Sequence, residues 1–185
     1  MAAQPSAPLL SAPLTLTLWL RVGADLQPEP WSPAQLQKVR AALAAGAGLD
    51  GAIEGRIGAE AWSRLDYWDR LDGLLVALRD AVERLLAGGS ASEFSFPDTG
   101  IEARLWRCEV EGTAAVAITY EDIDTVVPLG ALGAALDAAG VRLVEACGTL
   151  SPALRRLAIR GGQASDALDP KASDSTAIAS GGAAG

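Results

Sequence analysis

The chain has 185 residues, half of them hydrophobic, and its 15 basic and 23 acidic side chains give a net charge of −8 at pH 7. That length and apolar content suffice for one domain with a sizeable core, while the acidic balance repels phosphate backbones and argues against nucleic acid as a partner. There is no histidine, which excludes Ser-His-Asp and Cys-His nucleophile activation, histidine-ligated zinc and the commonest general base.

The N-terminal stretch has no basic segment, and prolines at 5, 8 and 13 interrupt its apolar run. No run approaches the length of a membrane span, so the expectation is a cytoplasmic protein without membrane contact. Residues 1–12 read as a flexible lead into a single domain spanning 13–160. From Leu14 the pattern alternates strictly, with Leu14, Leu16, Leu18, Leu20 and Val22 on one side and Thr15, Thr17, Trp19 and Arg21 on the other. That is a half-buried strand. Gly23 to Pro30 reads as a turn-rich connection, and Ser32-Pro33 supplies an N-cap and a first-turn proline. A helix over about 33–45 follows, with Leu36, Val39, Ala42 and Leu43 inward. Glycines at 46, 48, 51, 55 and 58 mark 45–61 as a loop. Trp31 and Trp62, each at the start of a helix, read as staples fixing the angle at which the chain joins it.

The strongest periodicity runs from Trp62 to Ala87. At 100° per residue, Tyr67, Trp68, Leu71, Leu74, Leu75, Leu78, Val82, Leu85 and Leu86 share an arc of about 120°. Asp66, Asp69, Arg70, Asp72, Arg79, Asp80, Glu83 and Arg84 fill the other side, with Asp66/Arg70 and Asp80/Arg84 at the i,i+4 spacing of helix ion pairs. Gly88-Gly89 ends the helix. The period then returns to two: Glu93–Phe96, Ile101–Val110 and Thr113–Tyr120 form a meander separated by Pro97-Asp98-Thr99-Gly100 and Glu111-Gly112 turns. Glu121 to Pro128 reads either as a fifth short strand or as a loop. The last helix covers about 129–147, with Leu129, Leu132, Leu136, Ala139, Leu143 and Cys147 on one arc, and a helical turn at 152–159 precedes a Gly/Ala/Ser/Asp tail over 161–185 that predicts disorder.

The order β-α-α-β-β-β-α predicts an α+β fold: one antiparallel sheet of four strands, or five, with helices mainly on one face. The first strand is expected to pair with the meander, since an isolated strand leaves its backbone unsatisfied.

No phosphate-cradling loop and no calcium loop is present. Cys108 and Cys147 are too few for a disulfide framework or a zinc site and read as reduced, buried small hydrophobes. No cofactor, metal or catalytic residue is therefore assigned. Glu109, Glu111, Glu121, Asp122 and Asp124 gather at the ends of the meander strands; the alternatives are a carboxylate site, an acidic docking surface formed by Glu121, Asp122 and Asp124, or solvated turns. If the leucine side of the first strand and the Ile101/Ala103/Leu105 side both face the helices, Trp19, Arg21, Glu102, Arg104 and Trp106 emerge together on the other face. Tryptophan beside arginine is typical of protein interfaces. The alternative is that the 33–45 helix covers the tryptophans.

With the run FSFPDTGIEARL (Phe94 to Leu105), the layout over roughly 90–147 resembles the small acidic immunity proteins of bacterial polymorphic-toxin and contact-dependent inhibition systems. The resemblance implies a non-catalytic cytoplasmic module that binds a basic toxin domain and blocks it by occlusion. An acidic, dimeric secretion chaperone for an effector is the second expectation and a small hydrolase the third, so that the chain is a monomer or a homodimer.

Overall fold

The computed structural model describes residues 12–58, 60–61 and 65–159. Most of the lead, the tail over 161–185 and Trp62 lie outside the described residues. The fold is α+β, with strands β1 (Leu14–Val22), β2 (Asp25–Pro28), β3 (Asp50–Ile57), β4 (Glu60–Ala61), β5 (Asp69–Arg70), β6 (Ala91–Ser95), β7 (Glu102–Val110), β8 (Thr113–Tyr120) and β9 (Ile123–Pro128). Helix α1 (Pro33–Ala44) follows β2, α2 (Leu71–Leu86) follows β5 and α3 (Leu129–Cys147) follows β9. A helical segment occupies 152–159.

The strands form two antiparallel sheets, where the sequence predicts one. The first has the order β2-β1-β3-β4 with β5 also on β3; the second is β6-β7-β8-β9. Thus β1 pairs with β2 and β3 and does not join the meander. The segment read as a glycine-rich loop supplies β3, and Gly51 is the reason it can come so close to β1. Gly51 and Gly55 sit opposite Leu20 and Leu16, and a Cβ on Gly51 would lie 2.1 Å from the Trp19 carbonyl oxygen. A side-chain-free residue lets the β3 backbone approach there, where the usual reading of clustered glycines is a loop. The ambiguous 121–128 stretch does contain a strand, β9.

Among the described residues α2 begins at Leu71, later than its periodicity implies. Asp69 and Arg70 pair with β3 opposite Gly51 and Asp50, and the Leu71 N–H donates to the Leu49 carbonyl at 2.7 Å. Tyr67 and Trp68 precede the helix, as does Asp66, so Asp66/Arg70 is not a helix pair. Asp69 and Asp72, expected on the solvated side, are buried.

Helices α2 and α3 run antiparallel. Val82 and Leu86 lie against Gly133, Arg79 binds Asp137 at 2.6 and 3.2 Å, and Asp72 accepts from the Ser151 hydroxyl at 2.7 Å. Leu71 abuts Gly51 of the first sheet, whereas Arg84 and Arg107 link the C-terminal turn of α2 to the second sheet. In α3 the direction reverses: it leaves β9 and reaches β1 through Arg142. The helix pair therefore bridges both sheets, and one hydrophobic cluster holds Leu16, Leu18 and Leu20 together with Leu105, Val116 and Ile118.

Helix α1 starts with the expected capping box, Ser32 and Gln35 exchanging bonds of 2.7 and 3.3 Å. Val39 is buried, Leu36 and Leu43 are half-buried and Ala42 is exposed, contrary to its expected inward position. Arg40 donates to the carbonyls of Glu145 and Ala146, which anchors α1 to the C-terminal end of α3.

Candidate functional site

Two tight turns fix the register of the second sheet. Glu111-Gly112 joins β7 to β8 with φ of 50° and 77°, and Glu121-Asp122 joins β8 to β9 with φ of 48° at Glu121. Such two-residue connections close on hydrogen-bonded pairs, Val110/Thr113 and Tyr120/Ile123. Every later pairing follows. On the face turned away from Leu105 and Ile118, one row reads Glu93, Arg104, Thr119, Asp124 across the four strands, and the Thr119 hydroxyl donates to Asp124 at 3.3 Å. The next row reads Ala91, Trp106, Ala117, Val126. Trp106 is thus flanked on both sides by methyl side chains and remains 41% exposed. Glu102, also exposed, lies opposite Ser95 at the end of this face.

Trp19 and Arg21 belong to the first sheet, so the five expected face residues divide between two sheets and do not emerge on one. Trp19 pairs with Ala52. Continuing the β3–β5 register one residue back from Asp69 brings Trp68 opposite Ala52 from the other side. Ala52 is fully buried in its strand. The Trp19 indole N–H donates to Glu54 at 3.2 Å, and Glu54 is gripped by Arg56 at 2.6 and 3.0 Å. The Arg21 guanidinium sits 4.2 Å from the centroid of the Trp68 ring, a cation–π contact. Helical periodicity assigns Trp68 to the core, yet it is 40% exposed. Nothing in its local sequence interrupts the period; the partner that removes it from the helix is β3.

The acidic residues do not converge. Glu121 and Asp122 form the exposed β8–β9 turn, where Asp122 accepts from the Tyr67 hydroxyl at 2.7 Å, and Tyr67 packs edge-on against Tyr120 at 5.5 Å. Glu109 and Glu111 are at the opposite end of β8, an eight-residue strand about 25 Å long. Among the described residues no group of three His, Cys, Asp or Glu side chains could hold a metal. The buried carboxylates serve the fold. Burial pushes the Asp69 pKa up, but bonds from Thr99, Arg70 and Asp98 outweigh it and hold the carboxyl below its ordinary range. Cys147 is buried, and desolvation raises its thiol to about 11. Cys108 is half-exposed, contrary to expectation.

One open groove of about 530 Å³ is lined by Trp31, Leu36 and Arg40 among others. Trp31 and Leu36 are the N′ and N4 residues of α1, the positions of a hydrophobic staple. Among the described residues no helix is long and apolar enough to cross a membrane. The chain matches no protein-family model, no curated protein and no solved structure.

Proposed function

We propose that this chain is a non-catalytic binding protein of the cytoplasm that docks another protein on the outer face of the β6–β9 sheet, as an immunity protein occluding a basic toxin domain. The observation that supports this most is Trp106: exposed, centred between Ala91 and Ala117, and one row from Arg104. An aromatic flanked by small residues offers a knob that a partner can enclose on all sides, the arrangement of an interface anchor. Trp68 with Arg21 offers a second aromatic–cationic platform. The net charge of −8 steers basic partners and raises association rates at low salt.

The test is calorimetric titration against the protein products of neighbouring genes. Trp106→Ala should weaken a genuine complex by about a hundredfold, as anchor truncations do. Unchanged affinity in Trp106→Ala and Arg104→Ala would rule this face out as the docking surface. A stable dimer in light scattering would favour the secretion-chaperone reading.

A further inference from the structure

The strand edges differ in how their hydrogen-bonding groups are occupied. On β1 the edge beyond β2 is closed by an ion pair: Glu29 accepts from the Leu18 N–H at 2.9 Å, and Arg142, bound to Glu29, donates to the Leu16 carbonyl at 2.8 Å. On β6 the outward carbonyl of Glu93 accepts from Arg84 at 2.9 Å. On β2 the outward N–H is limited to Leu26, because Pro28, the next outward residue, has none. On β9 the ladder to β8 uses Ile123, Thr125 and Val127, because the turn closes on Tyr120/Ile123. The N–H and C=O groups of Asp124 and Val126 therefore point outward, and among the described residues nothing bonds to them.

We infer that this edge accepts an added strand, an extended segment of the partner whose outer face reads apolar-x-basic-x-basic in an antiparallel approach. The inference rests on the binding function proposed above and specifies how the partner attaches. Main-chain bonds to Asp124 and Val126 supply attachment, as in other strand-addition complexes. Directly opposed side chains on one face lie about 5 Å apart, so the residue opposite Asp124 meets a carboxylate and the one opposite Val126 meets an apolar step continuous with Ala117. The next basic residue reaches the Glu121-Asp122 turn. Charge selects against a second copy of this chain, whose own β9 would bring another set of acids to the same edge.

The probe is a capped peptide, Thr-Val-Thr-Lys-Thr-Lys-Thr, with a control in which glutamate replaces lysine. Amide hydrogen exchange on the full chain should show Asp124 and Val126 slowed about tenfold by the lysine peptide at saturation, and neither slowed by the control. Val126→Pro removes one outward donor without touching the β8–β9 ladder and should abolish the effect. Should that variant fold poorly, Asp124→Lys tests the same edge through charge and should also abolish it. Exchange at Asp124 and Val126 unaltered by about 1 mM peptide, a concentration that detects even weak binding, would overturn the inference, as would protection that survives both variants. Because the peptide assay does not depend on Trp106, its failure is separable from failure of the docking face, which the Trp106→Ala titration reads.

Discussion

Thr99 donates twice to one oxygen of Asp69, from its backbone N–H and from its hydroxyl, each at 3.0 Å. The Asp98 N–H adds a bond of 2.9 Å to the other oxygen. Asp69 belongs to β5 of the first sheet and Thr99 to the β6–β7 turn of the second, so a single buried carboxylate ties the two sheets where no strand pairing among the described residues does. Asp69→Ala should cost about 2 kcal/mol, since it removes several charge-assisted bonds from the part-buried turn. The folded-state pKa lies below the ordinary 3.8, so this contribution is present above that value and lost as pH falls through the folded pKa. Urea titrations of wild type and Asp69→Asn should show a stability gap at neutral pH that narrows once the pH drops below 3.8. A gap independent of pH would mean that the ionised form is not what the turn requires.

The Glu29–Arg142 pair should behave as one unit. Glu29→Ala and Arg142→Ala are each expected to cost about 1–2 kcal/mol, and the double variant little more than the larger single loss. Solvent screening keeps the cost this low, because the Arg142 side chain is 40% exposed. Additive losses in a double-mutant cycle would show that the two act separately on β1.

Two glycines should respond in opposite directions. Gly51→Ala places a Cβ against the Trp19 carbonyl at 2.1 Å and should separate β3 from β1, costing more than about 3 kcal/mol or preventing folding. Gly130 is exposed in the first turn of α3, and a methyl group added there would meet nothing within 4 Å, so Gly130→Ala should raise stability by about 0.5–1 kcal/mol. Thermal denaturation of the pair checks both.

Trp19 and Trp106, which share an expected role in the sequence, should separate on mutation. Trp106→Ala removes an exposed ring and should leave the thermal midpoint nearly unchanged. Trp19→Ala removes packing over Ala52 and the bond to Glu54, a loss of about 1–3 kcal/mol. Equal effects would contradict the division of these residues between a surface anchor and a half-buried strut.

The two thiols should also be distinguishable. Cys108 is half-exposed, whereas Cys147 is buried with a thiol raised to about 11. At about pH 8 a disulfide reagent should titrate Cys108 rapidly and Cys147 only after denaturant is added, since thiolate and access are both required. The Cys147 shift is upward, so its contribution to stability is intact below the ordinary value of 9.0 and lost as pH rises through about 11.

Local patterns in the sequence were enough for the elements that carry their own period. The alternating leucines of β1, the stripe from Leu71 to Leu85, the Glu111-Gly112 turn, the Ser32 cap and the α3 boundaries at Leu129 and Cys147 all follow from side-chain spacing and turn chemistry. What only the tertiary structure decided is how these pieces pair. Glycine carries no periodic signal, so Gly51 and Gly55 read as loop, although the missing side chain of Gly51 is what admits β3 beside β1. Once β3 is a strand it recruits Asp69 and Arg70, shortens α2, and turns Trp68 out of the expected core. The single expected sheet becomes two because strand partners are chosen by long-range fit of whole surfaces, a quantity that no local window contains. The same reason places Trp19 and Trp106 on different sheets: each residue's side of its strand was legible in the alternation, but the neighbour across the ladder was not.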